Sequence, residues 1–231
     1  MNHTRRSFLY KTAALTGAAS AWPVIAQQVS GPAPAEEDVS PTEDLMREHG
    51  LLNRVLLVYE ECLRRIDASV AQALRFDPKL LADSASIIRR FIEDYHEKLE
   101  EDYIFPRFEK AHQLTDLVKV LRRQHEAGRN DTEKIQKLST AAALKQPASR
   151  GEVAGAISHF VRMYRPHEAR EDTVLFPALH SLVSQHEYDA LGEDFEKREH
   201  ELFGAEGFEG EVEKVAEIEK SLGIYDLAKF T

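Results

Sequence analysis

Four stretches of this chain place an apolar residue at every third or fourth position, and each stripe is interrupted by one histidine. The first stripe runs Leu45, His49, Leu52, Leu56, Tyr59, Leu63, Ile66, Val70, and the second runs Leu81, Ala85, Ile88, Ile92, His96, Leu99, Tyr103. The third runs Leu114, Val118, Leu121, His125, Gly128, Thr132, Ile135, Leu138, and the fourth runs Val153, Ala156, Phe160, Met163, His167, Glu171, Val174, Ala178. Steps of three and four trace one face of an α-helix. No segment shows the alternation of a strand. Four long helices joined by short loops predict an all-α fold, an up-down-up-down four-helix bundle. A buried imidazole must find partners for both ring nitrogens. One histidine on each of four core faces therefore restricts what the interior can contain.

Two of these histidines open a repeat. His96 to Pro106 reads HEKLEEDYIFP and His167 to Pro177 reads HEAREDTVLFP, so both fit H-E-x-x-E-[ED]-x-x-[IL]-F-P. Residues four apart on a helix lie one above the other. Hence Glu100 faces the same way as His96, and Glu171 the same way as His167. The predicted interior then holds His49, His96, His125, His167, Glu100 and Glu171. Four imidazoles and two carboxylates together are costly to bury unless a cation joins them. The set suits two divalent ions bridged by the glutamates, with positions left for water or a small ligand. Each half reads as a one-histidine helix followed by an HExxE helix, which predicts pseudo-twofold packing. HExxE is not HExxH, which argues against a zinc protease. Tyr103 and Tyr164 lie three residues from Glu100 and His167. Each is a candidate hydrogen-bond donor behind the ligands, with core packing as the alternative. Pro106 and Pro177 are expected to end or kink their helices, and Pro166 to kink the fourth.

The order H…HExxE…H…HExxE, with [IL]FP after each second glutamate, resembles the hemerythrin-like family, the HHE cation-binding domain. The resemblance spans about residues 42–190. It implies a four-helix bundle around two non-haem iron ions, with His49, His96, Glu100, His125, His167 and Glu171 as ligands. Oxygen-carrying members have a second histidine four residues away on the third helix. Here those positions are Leu121 and Arg129. The single histidine looks more like the branch associated with iron or oxygen sensing and peroxide decomposition. In that branch the glutamate after the second-helix histidine can also bind metal, which makes Glu97 a seventh candidate ligand; its counterpart Glu168 is expected at the surface or behind the ligands. The implied partners are small molecules: O2, H2O2 or NO. Whether the chain is an oxidoreductase, a non-enzymatic sensing or storage module, or a partner-binding bundle stays open, and zinc or manganese would suit the same ligand types.

The remainder frames this core. TRRSFLYK, a mildly apolar run and VIA ending at Ala26 look like a twin-arginine export signal over 1–26, which predicts a periplasmic or exported protein. Residues 27–41, rich in Pro, Ser and Ala, read as a linker; 42–185 as the bundle; 186–231 as a C-terminal helical extension that packs on the bundle, on a partner protein or on a second copy. KQPASRG, Lys145 to Gly151, reads as a loop. A net charge of −10, with no basic stripe, argues against nucleic acid. The mature chain is expected to contain no transmembrane segment. The single cysteine, Cys62, cannot form an intramolecular disulfide and is expected on the core side of its helix. His112, His159, His180, His186 and His200 have no matching partners and are expected at the surface or in local hydrogen bonds.

Overall fold

The structure, a computed structural model, describes residues 39–67 and 76–231. The twin-arginine segment, most of the proline-rich stretch and Val70 lie outside them. Every regular element among the described residues is helical. Helix α1 is Pro41–Asp67. Helix α2 runs unbroken over 78–111, and α3 is Thr115–Leu138. After the short α4, Ala141–Leu144, helix α5 runs over 147–179. Helix α6 is Gln185–Phe203 and α7 is Gly207–Leu222.

Local chemistry sets the starts. Asp77 caps α2 by accepting from the Lys79 backbone N–H at 2.9 Å, with Pro78 in the first turn. Pro147 likewise opens α5, so the expected loop at 145–151 is mostly helix. Acidic Glu43 and Asp44 at the head of α1, and basic Arg64 and Arg65 at its tail, complement its dipole. Helices α1, α2, α3 and α5 pack around one core, with α5 against both α1 and α3, and α2 against the same two.

Pro106 and Pro177 do not end their helices. Ahead of each, the helix widens for one turn: the Phe105 N–H bonds to Glu100 C=O, and the Phe176 N–H to Glu171 C=O, five residues back. A proline lacks an N–H and its ring crowds the carbonyl four residues back, and a wide turn relieves both. The extra residue advances the register by one. Tyr103 and Val174, expected on the core stripe, are displaced outward, and Ile104 and Leu175 are fully buried instead. Val174 is 37 % exposed. A further wide turn ends at Glu97, whose N–H reaches Ile92 C=O. Such turns recur at functional sites. Helix α5 also continues through Pro166.

The C-terminal helices lie on α1 and α2. Phe203 and Phe208 pack on Phe91 and Tyr95 at ring separations of 5.3–6.1 Å. Arg54 of α1 forks onto Glu219 of α7 at 2.6 and 3.0 Å, and Thr42 shares a 2.5 Å bond with Tyr188 of α6. Tyr103 packs edge-on against Phe195 of α6. Cys62 is buried. None of the described helices is long and apolar enough to cross a membrane.

Candidate metal centre

The four helices bring all four stripe histidines and both repeat glutamates into one buried layer, with none more than 3 % exposed. They gather as two triads, His49–His96–Glu100 and His125–His167–Glu171. In each, the imidazole Nε2 atoms point inward. His49 Nε2 and His96 Nε2 are 3.0 Å apart, and His125 Nε2 and His167 Nε2 are 3.2 Å apart. The carboxylates span the triads. Glu100 Oε2 is 3.8 Å from His96 Nε2 and 3.4 Å from His125 Nε2. Glu171 Oε2 is 3.2 Å from His167 Nε2 and 3.5 Å from His49 Nε2.

The outward Nδ1 atoms each have a side-chain acceptor. His49 Nδ1 meets Asp172 at 2.7 Å, His96 Nδ1 meets Glu48 at 2.7 Å, His125 Nδ1 meets Glu101 at 3.0 Å, and His167 Nδ1 meets Gln124 at 2.9 Å. A proton on each Nδ1 leaves the lone pair of each Nε2 facing inward. Sequence reasoning missed these four partners. Two occupy the sixth place of the repeat, Glu101 and Asp172; the other two directly precede the one-histidine helices' ligands, Glu48 before His49 and Gln124 before His125. The FP motif also has a role here. Phe176 stacks on His49 at 5.6 Å and Phe105 on His125 at 5.5 Å, so each wide turn delivers a ring onto the imidazole of the neighbouring helix.

Glu97 is set apart from the inward-facing atoms. It stands behind His125, accepts from the Tyr164 hydroxyl at 2.5 Å and pairs with Arg129 at 2.7 Å. Burial, opposed by His125 and Arg129, pushes its carboxyl up to about 7. Tyr164 reaches it across Gly128, where a Cβ would fall 2.1 Å from the tyrosine oxygen. Glu168 is buried rather than surface-facing; it accepts from Asn53 at 2.8 Å, and burial raises its carboxyl to about 8. Tyr103 turns toward α6 rather than toward the centre. Among the described residues, His112, His159, His180, His186 and His200 are exposed.

Do these residues fit a metal? All four oxygens of Glu100 and Glu171 are buried and receive no hydrogen bond. Buried polar atoms are nearly always bonded, so four orphans in one layer need a common explanation. The facing Nε2 lone pairs add to the same demand. Burial, and next the Glu171 carboxylate, drives the Glu100 carboxyl well above its ordinary range. Cations held by the two triads would give these residues the partners they lack.

A four-helix bundle with a buried histidine–glutamate layer defines a cation-binding protein of the all-α class. The chain matches the hemerythrin HHE cation binding domain over residues 40–179, and it belongs to that family. It is similar to "Uncharacterized protein Mb2018" of Mycobacterium bovis and "Uncharacterized protein Rv1995" of Mycobacterium tuberculosis. Each is 51 % identical over 199 residues, covering 85 % of this chain and 75 % of the relative. No solved structure matches the chain.

Proposed function

We propose that the chain holds two iron ions on His49, His96, Glu100, His125, His167 and Glu171, and that it reacts with peroxide or another small oxidant outside the cytoplasm. The observation that carries this reading is the pair of carboxylates, each lying between histidines of both triads with all its oxygens unbonded. An iron pair bound there would supply Lewis acidity and a two-electron reservoir. The chain's own residues do the rest. The four Nδ1 acceptors fix the tautomers and aim the imidazoles. Phe105 and Phe176 cover two of the rings and keep bulk water from them. Leu121 and Arg129 stand where a fifth histidine would be, and Arg129 is turned away onto Glu97 and Glu101 at 2.7 Å. Each triad therefore offers two imidazoles and shared carboxylates, which leaves room for an exogenous ligand on either side. That favours turnover over stable oxygen carriage. Export through the twin-arginine route would suit a protein that folds around its metal first.

The test is iron and zinc quantification on the purified chain, with optical spectra in air and after reduction, followed by peroxide consumption. About two irons per chain, turnover lost in Glu100→Ala and turnover kept in His186→Ala are expected. One metal or none after iron-replete expression, or a long-lived reversible oxygen adduct without peroxide consumption, would sink it.

A further inference from the structure

The two triads are matched in their inward atoms but not in what stands behind them. Behind His49 and His96 are two carboxylates, Asp172 and Glu48, each at 2.7 Å from an Nδ1. Glu48 is fully buried and shares its surroundings with Asp44 and Glu199, their oxygens within 4.8 Å of one another. Behind His167 stands a neutral amide, Gln124. Behind His125 stands Glu101, whose charge is already divided between Arg129 at 2.7 Å and Lys98. The residue four after the α1 histidine is Asn53, neutral; the residue four after the α3 histidine is Arg129, cationic.

A carboxylate on Nδ1–H raises the basicity of the opposite Nε2, and charge-assisted bonds are about twice as strong as neutral ones. Low dielectric enlarges the Glu48–Gln124 difference most, because Glu48 is fully buried whereas Asp172 is about a third exposed. Three differences, Glu48 against Gln124, Asp172 against a shared Glu101, and Asn53 against Arg129, act in one direction; Arg47 at 3.4 Å from Asp44 offsets the acids near Glu48, and Arg129 at 2.7 Å offsets Glu97 behind His125. We propose that the two cation positions are unequal: the His49–His96 position binds its cation more tightly than the His125–His167 position, and Glu48 and Gln124 set the difference. This rests on the two-metal reading above. Loss of a supporting partner of this kind typically changes metal affinity by about 10- to 100-fold, which is the separation expected between the two steps.

Zinc, which is redox-silent, is the probe. The full chain is loaded with zinc and equilibrated against a graded chelator, and zinc per chain is measured at each point. The expected curve falls from two to one, holds a plateau over about tenfold or more in free zinc, and then falls to zero. Glu48→Gln should weaken the tighter step and shorten the plateau. Gln124→Glu should tighten the weaker step and also shorten it, a gain in affinity that damage to the fold does not produce. A loaded chain with two zincs that leave in a single step overturns the inequality while leaving the two-metal site standing. So does a variant pair whose effects fall on the opposite steps. A chain that never takes up more than one zinc removes the two-metal reading itself, and the inequality with it.

Discussion

The half of the centre built from α1 and α2 can be laid over the half built from α3 and α5, residue for residue. His49 corresponds to His125, Glu48 to Gln124, Asn53 to Arg129; His96 corresponds to His167, Glu101 to Asp172, Phe105 to Phe176. In both halves the sixth repeat residue supports the histidine of a neighbouring helix, and the repeat phenylalanine lies on that same ring. What is shared is geometry: inward Nε2, supported Nδ1, a carboxylate lying between histidines of both triads, and a wide turn before the proline. What differs is charge and bulk outside that layer. Three residues before the HExxE histidine stands Glu93 in one half and Tyr164 in the other. Three after the single histidine stands Leu52 in one and Gly128 in the other. The shared features fit the holding of cations, and the unshared ones are where the proposed inequality of the two positions would have to arise.

The largest effect should fall on what the halves share. Stripping the metal leaves two buried carboxylates and four imidazoles facing one another, so chelation should lower the melting temperature by many degrees, read by circular dichroism. Equal melting with and without chelator would show that the layer is not a metal site. Next, Glu100→Ala and Glu171→Ala should cost the same, each removing at least one metal per chain, because each carboxylate touches both triads. Loss in one variant only would break the equivalence.

A smaller effect belongs to one half alone. Gly128→Ala must push Tyr164 off α3, since the added Cβ would lie 2.1 Å from its oxygen. A cost of about 1–3 kcal/mol is expected from denaturant unfolding. Gly155 of α5 has open space around its Cβ position. Gly155→Ala should stabilise by about 0.5–1 kcal/mol. If the two substitutions behave alike, Tyr164 is not held as described. The smallest effect is a null in α1 behind the layer. Burial pushes the Cys62 thiol up to about 12, so at pH 8 it stays protonated and unreactive. Mass spectrometry after iodoacetamide treatment should show no alkylation until the chain is unfolded; rapid labelling of the native form would show that α1 opens.

The sequence by itself determined the four long stripe-bearing helices, the four-bundle class, the two halves and the six inward-facing residues. These follow from spacing along a single helix, which depends only on its 3.6-residue period. The same period failed at Tyr103 and Val174, because a wide turn before each FP adds a residue and slides Ile104 and Leu175 into the core. It also offered Tyr103 and Tyr164 on equal terms. Only packing sent the first to Phe195 and the second, through the gap at Gly128, to Glu97. The Nδ1 partners were written in the repeat and beside the histidines, yet no spacing rule links Asp172 to His49 or Glu48 to His96. Those contacts cross between helices 123 and 48 residues apart in sequence. Pairing across helices depends on rotation and approach, which local periodicity does not carry, so only the tertiary structure decided which acid stands behind which ligand.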